Sequence, residues 1–538
     1  MRSATVPWGA WLLLALALVA VFPYSEATRN ANERPRLMQT MAWVDTGHWW
    51  IEGQGGRGLD AGPDTAKGKD GHLYPNKPPG TTVVAALGYR SARAWAEAKD
   101  EPLTLRTLTW WARLFGSALP TIILAAVMWR RAAPRYGEAS SMAAVLTWAL
   151  ATPAVVYAHL LYGHALAAAL LHCGIVVIAD AVEHRGGARW HAPALAALGG
   201  ALAASAVTVE YMAAFAGLPI GIALLARVRR AGMPTIIAAA LAGALVPIAW
   251  LASYQQHAYG SVLQTGYQHA TVADFSEKHA QGLLGLGLPK WDAFVTQILS
   301  VDGGLLWWAP AIVFGVWGLV SLARDRDTPR FEPQVQLGVV VVYLVMISSL
   351  SFEGGWRVGP RYFVLALPAC VIGWAELYGQ ARTHAMWTTI LVACAAYGIV
   401  VNGLAANLWP HFDLANVDAP VAEVLLPLWH GTLRPYAATG IVTALDLVWI
   451  VVVASVLGFA LVYMRVIEPR VRGFLAIGIG LALALAAVSS HRLLPGNPKA
   501  ARNLAYIEKV WEPVATPTRS VNLPELGGTA SEDRTRTP

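Results

Sequence analysis

Charge is scarce in this chain. Asp, Glu, Lys and Arg make up 14% of its 538 residues, against about 25% in an ordinary soluble domain. Apolar residues, 56% of the total, run in long blocks. That pattern argues against a soluble multidomain protein. Cysteine is also scarce. Cys173, Cys370 and Cys394 all sit inside apolar blocks, which argues against a disulfide framework and leaves them as small packing residues. The loop histidines His257, His269 and His279 lack tight metal-ligand spacing. No ligand set emerges, and a divalent cation as an assistant stays open. No internal repeat is evident, so the inverted-repeat signature of many secondary transporters is missing. The apolar segments hold almost no ionisable residue; Asp180 and Asp446 are the main exceptions, and Asp180 lies near a segment end.

What is there is a series of apolar segments, each near the 20 residues that a membrane span needs. Thirteen are expected, at 7–24, 107–129, 139–157, 163–182, 192–207, 211–226, 234–253, 303–322, 335–351, 361–379, 385–404, 437–463 and 473–489. Their short connections sort by charge. Arg130, Arg131 and Arg135; Arg185 and Arg189; Arg227, Arg229 and Arg230; Arg324, Arg326 and Arg330; Arg382; and Arg465, Arg470 and Arg472 all fall on one side, with Arg2. Basic short loops stay in the cytoplasm. The N-terminus is therefore expected inside and the C-terminus outside. The net charge of +7 is accounted for by topology, which argues against a nucleic-acid partner. The long connections 25–106, 254–302 and 405–436 and the tail 491–538 face outward, the last part of the tail reading as disordered. The first segment, with Ser25-Glu26-Ala27 after it, has the look of a signal peptide and is expected to be a retained helix.

The polar residues of interest gather on the outer side. Tyr74-Pro75-Asn76-Lys77-Pro78-Pro79-Gly80 is a proline-stiffened loop with one cation. Proline fixes φ and restricts the residue before it, so Lys77 is displayed on a stiff backbone, and an ammonium suits a phosphate. A rigid turn with a solvated lysine is the plainer alternative. Leu37, Met41 and Val44 follow helical spacing and predict an amphipathic helix lying at the membrane surface in the first outer loop, with Glu33 near its start. An ionised carboxylate there is suited to act as a general base, or simply to cap the helix or pair with arginine. A second helical region is expected over 81–105. The connection Phe352–Tyr362 sets Arg357 and Arg361 at an outer membrane edge, against the charge trend. Such residues suit an anionic head group or phosphate, or a pair to Glu353 or Glu33. His159, Tyr162 and His164, and Thr208-Val209-Glu210-Tyr211, mark two more outer edges.

In order and sidedness these features resemble the GT-C superfamily of integral-membrane glycosyltransferases. More narrowly, the chain is similar to bacterial relatives of protein O-mannosyltransferases and of the aminoarabinose transferase that acts on lipid A. The matching parts are Glu33 after the first span, Ala42 and Gly47, the Tyr74–Gly80 loop, Arg113, the run Gly359–Tyr362 and Pro368. The resemblance implies an all-α polytopic GT-C fold over 1–490 in the bacterial inner membrane. It implies an inverting transfer of a hexosyl or pentosyl group from a polyprenyl-phosphate donor to an acceptor hydroxyl at the outer face. The acceptor is left open among glycan, glycolipid and protein. By position Glu33 matches the catalytic carboxylate and Lys77 the donor-phosphate lysine. Arg357 and Arg361 are looser matches for holding the phosphate. Arg34, Arg36, Tyr74, Asn76, His159, Tyr162, His164 and Tyr362 are the expected substrate contacts. One departure matters. The mannosyltransferases carry an Asp-Glu pair where this chain has Asn32-Glu33, which leaves Glu33 to work alone or shifts the role to Asp45. A transporter or flippase of a lipid-linked sugar is the competing expectation, and it requires ionisable residues deep within spans.

Overall fold

The computed structural model describes the chain apart from residues 1–7, 20–30, 54–58, 184–189, 281–284, 326–328, 351–354, 382, 431–443, 468–469, 491–492, 494–495 and 511–538. Ser25–Ala27, Arg185, Arg189, Arg326, Glu353, Arg382, the Asp446 side chain and the end of the tail therefore lie outside the described residues.

Helices dominate, with one two-stranded hairpin among the described residues. Seven helices are long and apolar enough to cross a bilayer: Thr107–Tyr136, His164–Glu183, His191–Val209, Met233–Tyr259, Phe331–Ser348, Ala385–Asn407 and Arg470–Ser490. Four shorter apolar helices join them, Trp8–Val19, Tyr211–Leu225, Ile312–Arg324 and Ile450–Tyr463. All fall on expected segments. The chain is an all-α polytopic membrane protein.

Three expected spans are broken, each at proline; 303–322 is split at Pro310 into Leu305–Trp308 and Ile312–Arg324. The segment 139–157 is helical over Glu138–Ala151, then turns extended at Thr152 and restarts as the short Ala154–Ala158 after Pro153. The segment 361–379 opens with tight 3-10 turns, Arg361–Leu365 and Leu367–Cys370, before the helix Val371–Gly379. Proline lacks the N–H a helix needs and crowds the preceding turn.

Among the described residues, the basic connections around Arg131, Arg227 and Arg330 lie at one end of the bundle. Arg131 there contacts Asp180 at 2.8 Å, Glu183 at 2.9 Å and Glu332 at 2.6 Å. Arg227 donates to Gln334 at 2.6 Å. The helices running away from this end finish at Glu210, at the loop after Tyr259 and at the loop after Ser348. The candidate site is therefore built at the opposite end.

There the Glu33–Thr46 helix lies beneath the Gly80–Lys99 helix. Leu37, Met38 and Met41 share a buried core with Ala85, Tyr89, Leu108 and Leu161. Burial runs unbroken from Glu33 to Ala42, so even the polar residues of the first turns face protein. Between the two helices comes the hairpin, Thr65–Lys67 against Leu73–Pro75, in the register Ala66↔Tyr74. Its turn is closed by Asp70, whose side chain accepts from the His72 N–H at 3.1 Å, and by Gly71 at φ +86°.

Candidate active site

The hairpin register places the first functional pair. Beyond its open end the Asn76 N–H donates to the Asp64 carbonyl at 3.0 Å, so Asp64 and the Asn76-Lys77 dipeptide stand face to face. A third segment pairs along the other edge. Thr271 N–H donates to Thr65 O and Lys67 N–H to His269 O, both at 2.9 Å. This carries Tyr267 to Lys77. Gly266 makes the approach possible, since a Cβ there would stand 2.7 Å from the Asn76 backbone. Pro78 and Pro79 then lead straight into the Gly80–Lys99 helix.

Lys77 is 4% exposed. Its ammonium donates to the Tyr267 hydroxyl at 3.3 Å and lies 4.3 Å from the centre of that ring. It sits in the electrostatic field of Asp64, Arg361, Glu210 and Arg36. Burial penalises the charged form most, and the pKa is pushed down from 10.5 to about 8.

Arg36, 1% exposed, projects from the first turn of its helix into the same space. It donates to Asn32, through both the backbone carbonyl at 2.9 Å and the side-chain oxygen. Its Nη2 stands 4.0 Å from Glu210 Oε2. Glu210 in turn accepts from the Tyr267 hydroxyl at 3.3 Å, and His164 Nδ1 is 3.4 Å from its carboxylate. Arg361 reaches the cluster from the 3-10 turn and donates to the Tyr362 hydroxyl at 3.1 Å. The Tyr362 ring packs edge-on against His164, centroids 5.7 Å apart. Among the described residues, Arg36 Nε and Nη2 and Arg361 Nε have no hydrogen-bond partner, though all are shielded from water. A buried N–H left unmade is costly. Three donor atoms of this kind, on two arginines beside a lysine, describe a receptor for an anion.

Glu33 sits elsewhere. It is 1% exposed, and Arg113 grips it in a fork, Nε to Oε1 at 2.8 Å and Nη2 to Oε2 at 2.7 Å. The Leu161 N–H adds a bond to Oε1 at 2.8 Å. Burial works against its charge, but Arg113 and the hydrogen bonds outweigh that, and the carboxyl is held below the ordinary carboxylate value. A carboxylate so neutralised is a poor proton acceptor. Through Arg113, Glu33 ties its helix to the Thr107–Tyr136 helix. His411, beside it, is kept neutral by burial, pushed down to about 3.

The other expected residues divide in the same way. Asn76 belongs to the cluster through Asp64. Tyr162 donates to or accepts from His411 Nδ1 at 3.2 Å and so borders Glu33. Arg357 is buried; its N–H donates to the Phe412 carbonyl at 3.0 Å. It shares with Arg361 the neighbourhood of Tyr157. Arg34 turns outward to Asp60 at 2.9 Å. Tyr74 donates to Asp70 at 2.7 Å, on the far side of the hairpin. His159 spans two backbone carbonyls, Ala17 at 3.1 Å and Ala406 at 3.4 Å, and ties helices together. Asp45 is twelve residues along the helix from Glu33, about 18 Å at 1.5 Å per residue, and is taken by Tyr89 and Arg93 at 2.9 and 3.2 Å. Among the described residues no three His, Cys, Asp or Glu side chains gather as a metal-ion site.

Two residues of the cluster carried no usable sequence signal. Tyr267 comes from 190 positions beyond Lys77. Asp64 stands in a polar stretch of no distinctive pattern. Its carboxylate accepts only from the side-chain amides of Asn32 at 3.3 Å and Asn76 at 3.5 Å among the described residues.

Two solved structures are similar to the chain. One is ArnT from Cupriavidus metallidurans in the apo state, 17% identical, covering 90% of this chain and 75% of that one at a TM-score of 0.48. The other is ArnT from Cupriavidus metallidurans bound to undecaprenyl phosphate, 17% identical, covering 90% and 76% at a TM-score of 0.46. No protein-family model matches the chain, and no curated protein sequence does.

Proposed function

We propose that the protein is an inverting glycosyltransferase of the GT-C kind. It moves a hexosyl or pentosyl group from a polyprenyl-phosphate donor to an acceptor hydroxyl of a glycan, glycolipid or protein, at the outer face of a bacterial inner membrane. The observation that supports this is the cluster of Arg36, Lys77 and Arg361. Asp64 and Glu210 are the carboxylates in Lys77's field, so three cations face two anions, and both arginines keep donor atoms without a hydrogen-bond partner among the described residues. A phosphate supplies the missing charge and acceptor atoms. The cluster also lies at the end of membrane helices, where a lipid tail and a water-borne head group can both reach. Fixed cations at the oxygen that gains charge as the sugar leaves stabilise the transition state.

A transporter of the same lipid would use the same cations at one end of its path. It would also need polar stations along the spans. The part-exposed charged network around Arg131 lies at the far end of the bundle and is closed by its own ion pairs.

The test is transfer of labelled sugar from synthetic polyprenyl-phosphate sugars, with purified protein in liposomes and a crude envelope extract as acceptor. Protein-dependent transfer is the expected result. No transfer from any donor, with protein-dependent passage of the donor across the bilayer, would replace this proposal with the transporter.

The proposed orientation puts the Arg131 end in the cytoplasm and the Lys77 end outside. A single cysteine at Arg229, in a chain with Cys173, Cys370 and Cys394 replaced by alanine, is expected to resist a membrane-impermeant thiol reagent on intact cells. It should react once the membrane is opened. Labelling on intact cells would reverse the orientation.

A further inference from the structure

We propose that Asp64, and not Glu33, is the residue that takes the proton from the acceptor hydroxyl; this rests on the transferase proposal above. Asp64 and Glu210 border the cation cluster, and Glu33 stands at the same end of the molecule. Glu33 is closed off by Arg113 and the Leu161 N–H. Glu210 is buried between Arg36, His164 and Tyr267. Asp64 is half-buried, and among the described residues it has no cation within ion-pair distance. Its two amide contacts are long and neutral. They orient the carboxylate without neutralising it. A base needs an oxygen that substrate can reach and that charge pairing has not disarmed, and of the three only Asp64 offers one.

Its position fits the chemistry as well. Asp64 lies in the field of Lys77 and Arg36, so it borders the place assigned to the donor phosphate. The acceptor oxygen forms its bond to the anomeric carbon while its proton passes to Asp64. The bond from that carbon to the phosphate oxygen breaks, and its electron pair leaves with the lipid phosphate, facing Lys77, Arg36 and Arg361. The proton later returns to water from the protonated Asp64.

The departure at Asn32 becomes intelligible in these terms. Asn32 Nδ2 and Asp64 Oδ2 are in contact at 3.3 Å. The carboxylate missing from the Asp-Glu pattern at Asn32 is supplied, one hydrogen bond away, by a residue 32 positions later.

The test is run with the full chain in liposomes. Asp64→Asn is expected to lower kcat by about 10²- to 10⁴-fold, the range for loss of a general base. Binding of polyprenyl phosphate should stay as tight or become tighter, because a negative charge beside the cations is removed. The acid limb of the kcat–pH profile should be present in the wild type and absent from Asp64→Asn. The inference fails if Asp64→Asn keeps kcat within threefold of wild type. It fails too if that variant loses lipid binding along with turnover, which marks a structural role. Wild-type protein that transfers nothing from any donor would instead bring down the transferase proposal, and this one with it.

Discussion

Lys77→Met is expected to cut transfer by about 10²- to 10³-fold, the cost of removing one well-placed donor from a developing oxyanion. Methionine keeps most of the stem that packs on Tyr267, so the loss isolates the charge. It should fall mainly on kcat, because the lipid phosphate gains charge as the sugar departs. The wild type should also show a pH signature. Burial pushes the Lys77 pKa down to about 8 before any phosphate binds. Below that pH the lysine is charged and attracts the phosphate; above it the charge is lost. A phosphate monoester is already fully ionised at such pH, its second pKa being about 6. Affinity for polyprenyl phosphate should therefore weaken as pH rises past 8, by up to about tenfold per unit if only the charged lysine binds. Lys77→Arg, charged throughout, should flatten that dependence. An equally steep fall in Lys77→Arg would show that another group titrates.

The parts of this site that can be read along the chain are those whose geometry is local. Pro75, Pro78 and Pro79 fix the backbone on either side of Lys77 by covalent means, and no distant contact is needed to single the residue out. Arg361 stands out because a charge beside an apolar segment is costly. The long apolar helices are legible for the same kind of reason, since composition over about 20 residues decides them. Interruptions at Pro153 and Pro368 are in the sequence too, but a window of hydropathy averages over them. Asp64 and Tyr267 are different. Asp64 acquires its place from a hairpin register, and a slip of one residue would turn its side chain to the other face. Tyr267 depends on an edge pairing between residues some 200 positions apart, Thr65 and Thr271. No period or motif encodes either. Glu33 illustrates the opposite hazard. Its position after the first span, at the start of a helix, suits a base as well as a structural ion pair. The choice rests on Arg113, 80 residues away.

Glu33→Gln should accordingly damage the fold before it damages the chemistry. The Arg113 guanidinium is 1% exposed, and glutamine would leave it charged, buried and without its counter-ion. Removing one member of such a pair costs about 3–5 kcal/mol. The expected result is a lower thermal unfolding temperature in detergent and a reduced yield of folded protein. Removing both charges tells the two roles apart. Glu33→Gln/Arg113→Met takes away the stranded guanidinium, and replacing a whole buried pair is often close to neutral. That double variant should regain much of the stability lost by the single change. If Glu33 serves only to join the two helices, turnover should recover with stability, because the proton acceptor is untouched. A proton-accepting Glu33 would behave otherwise: the double variant would fold and bind polyprenyl phosphate yet remain inactive. Stability and turnover measured on the same two preparations therefore decide between a carboxylate that holds the site together and one that works in it.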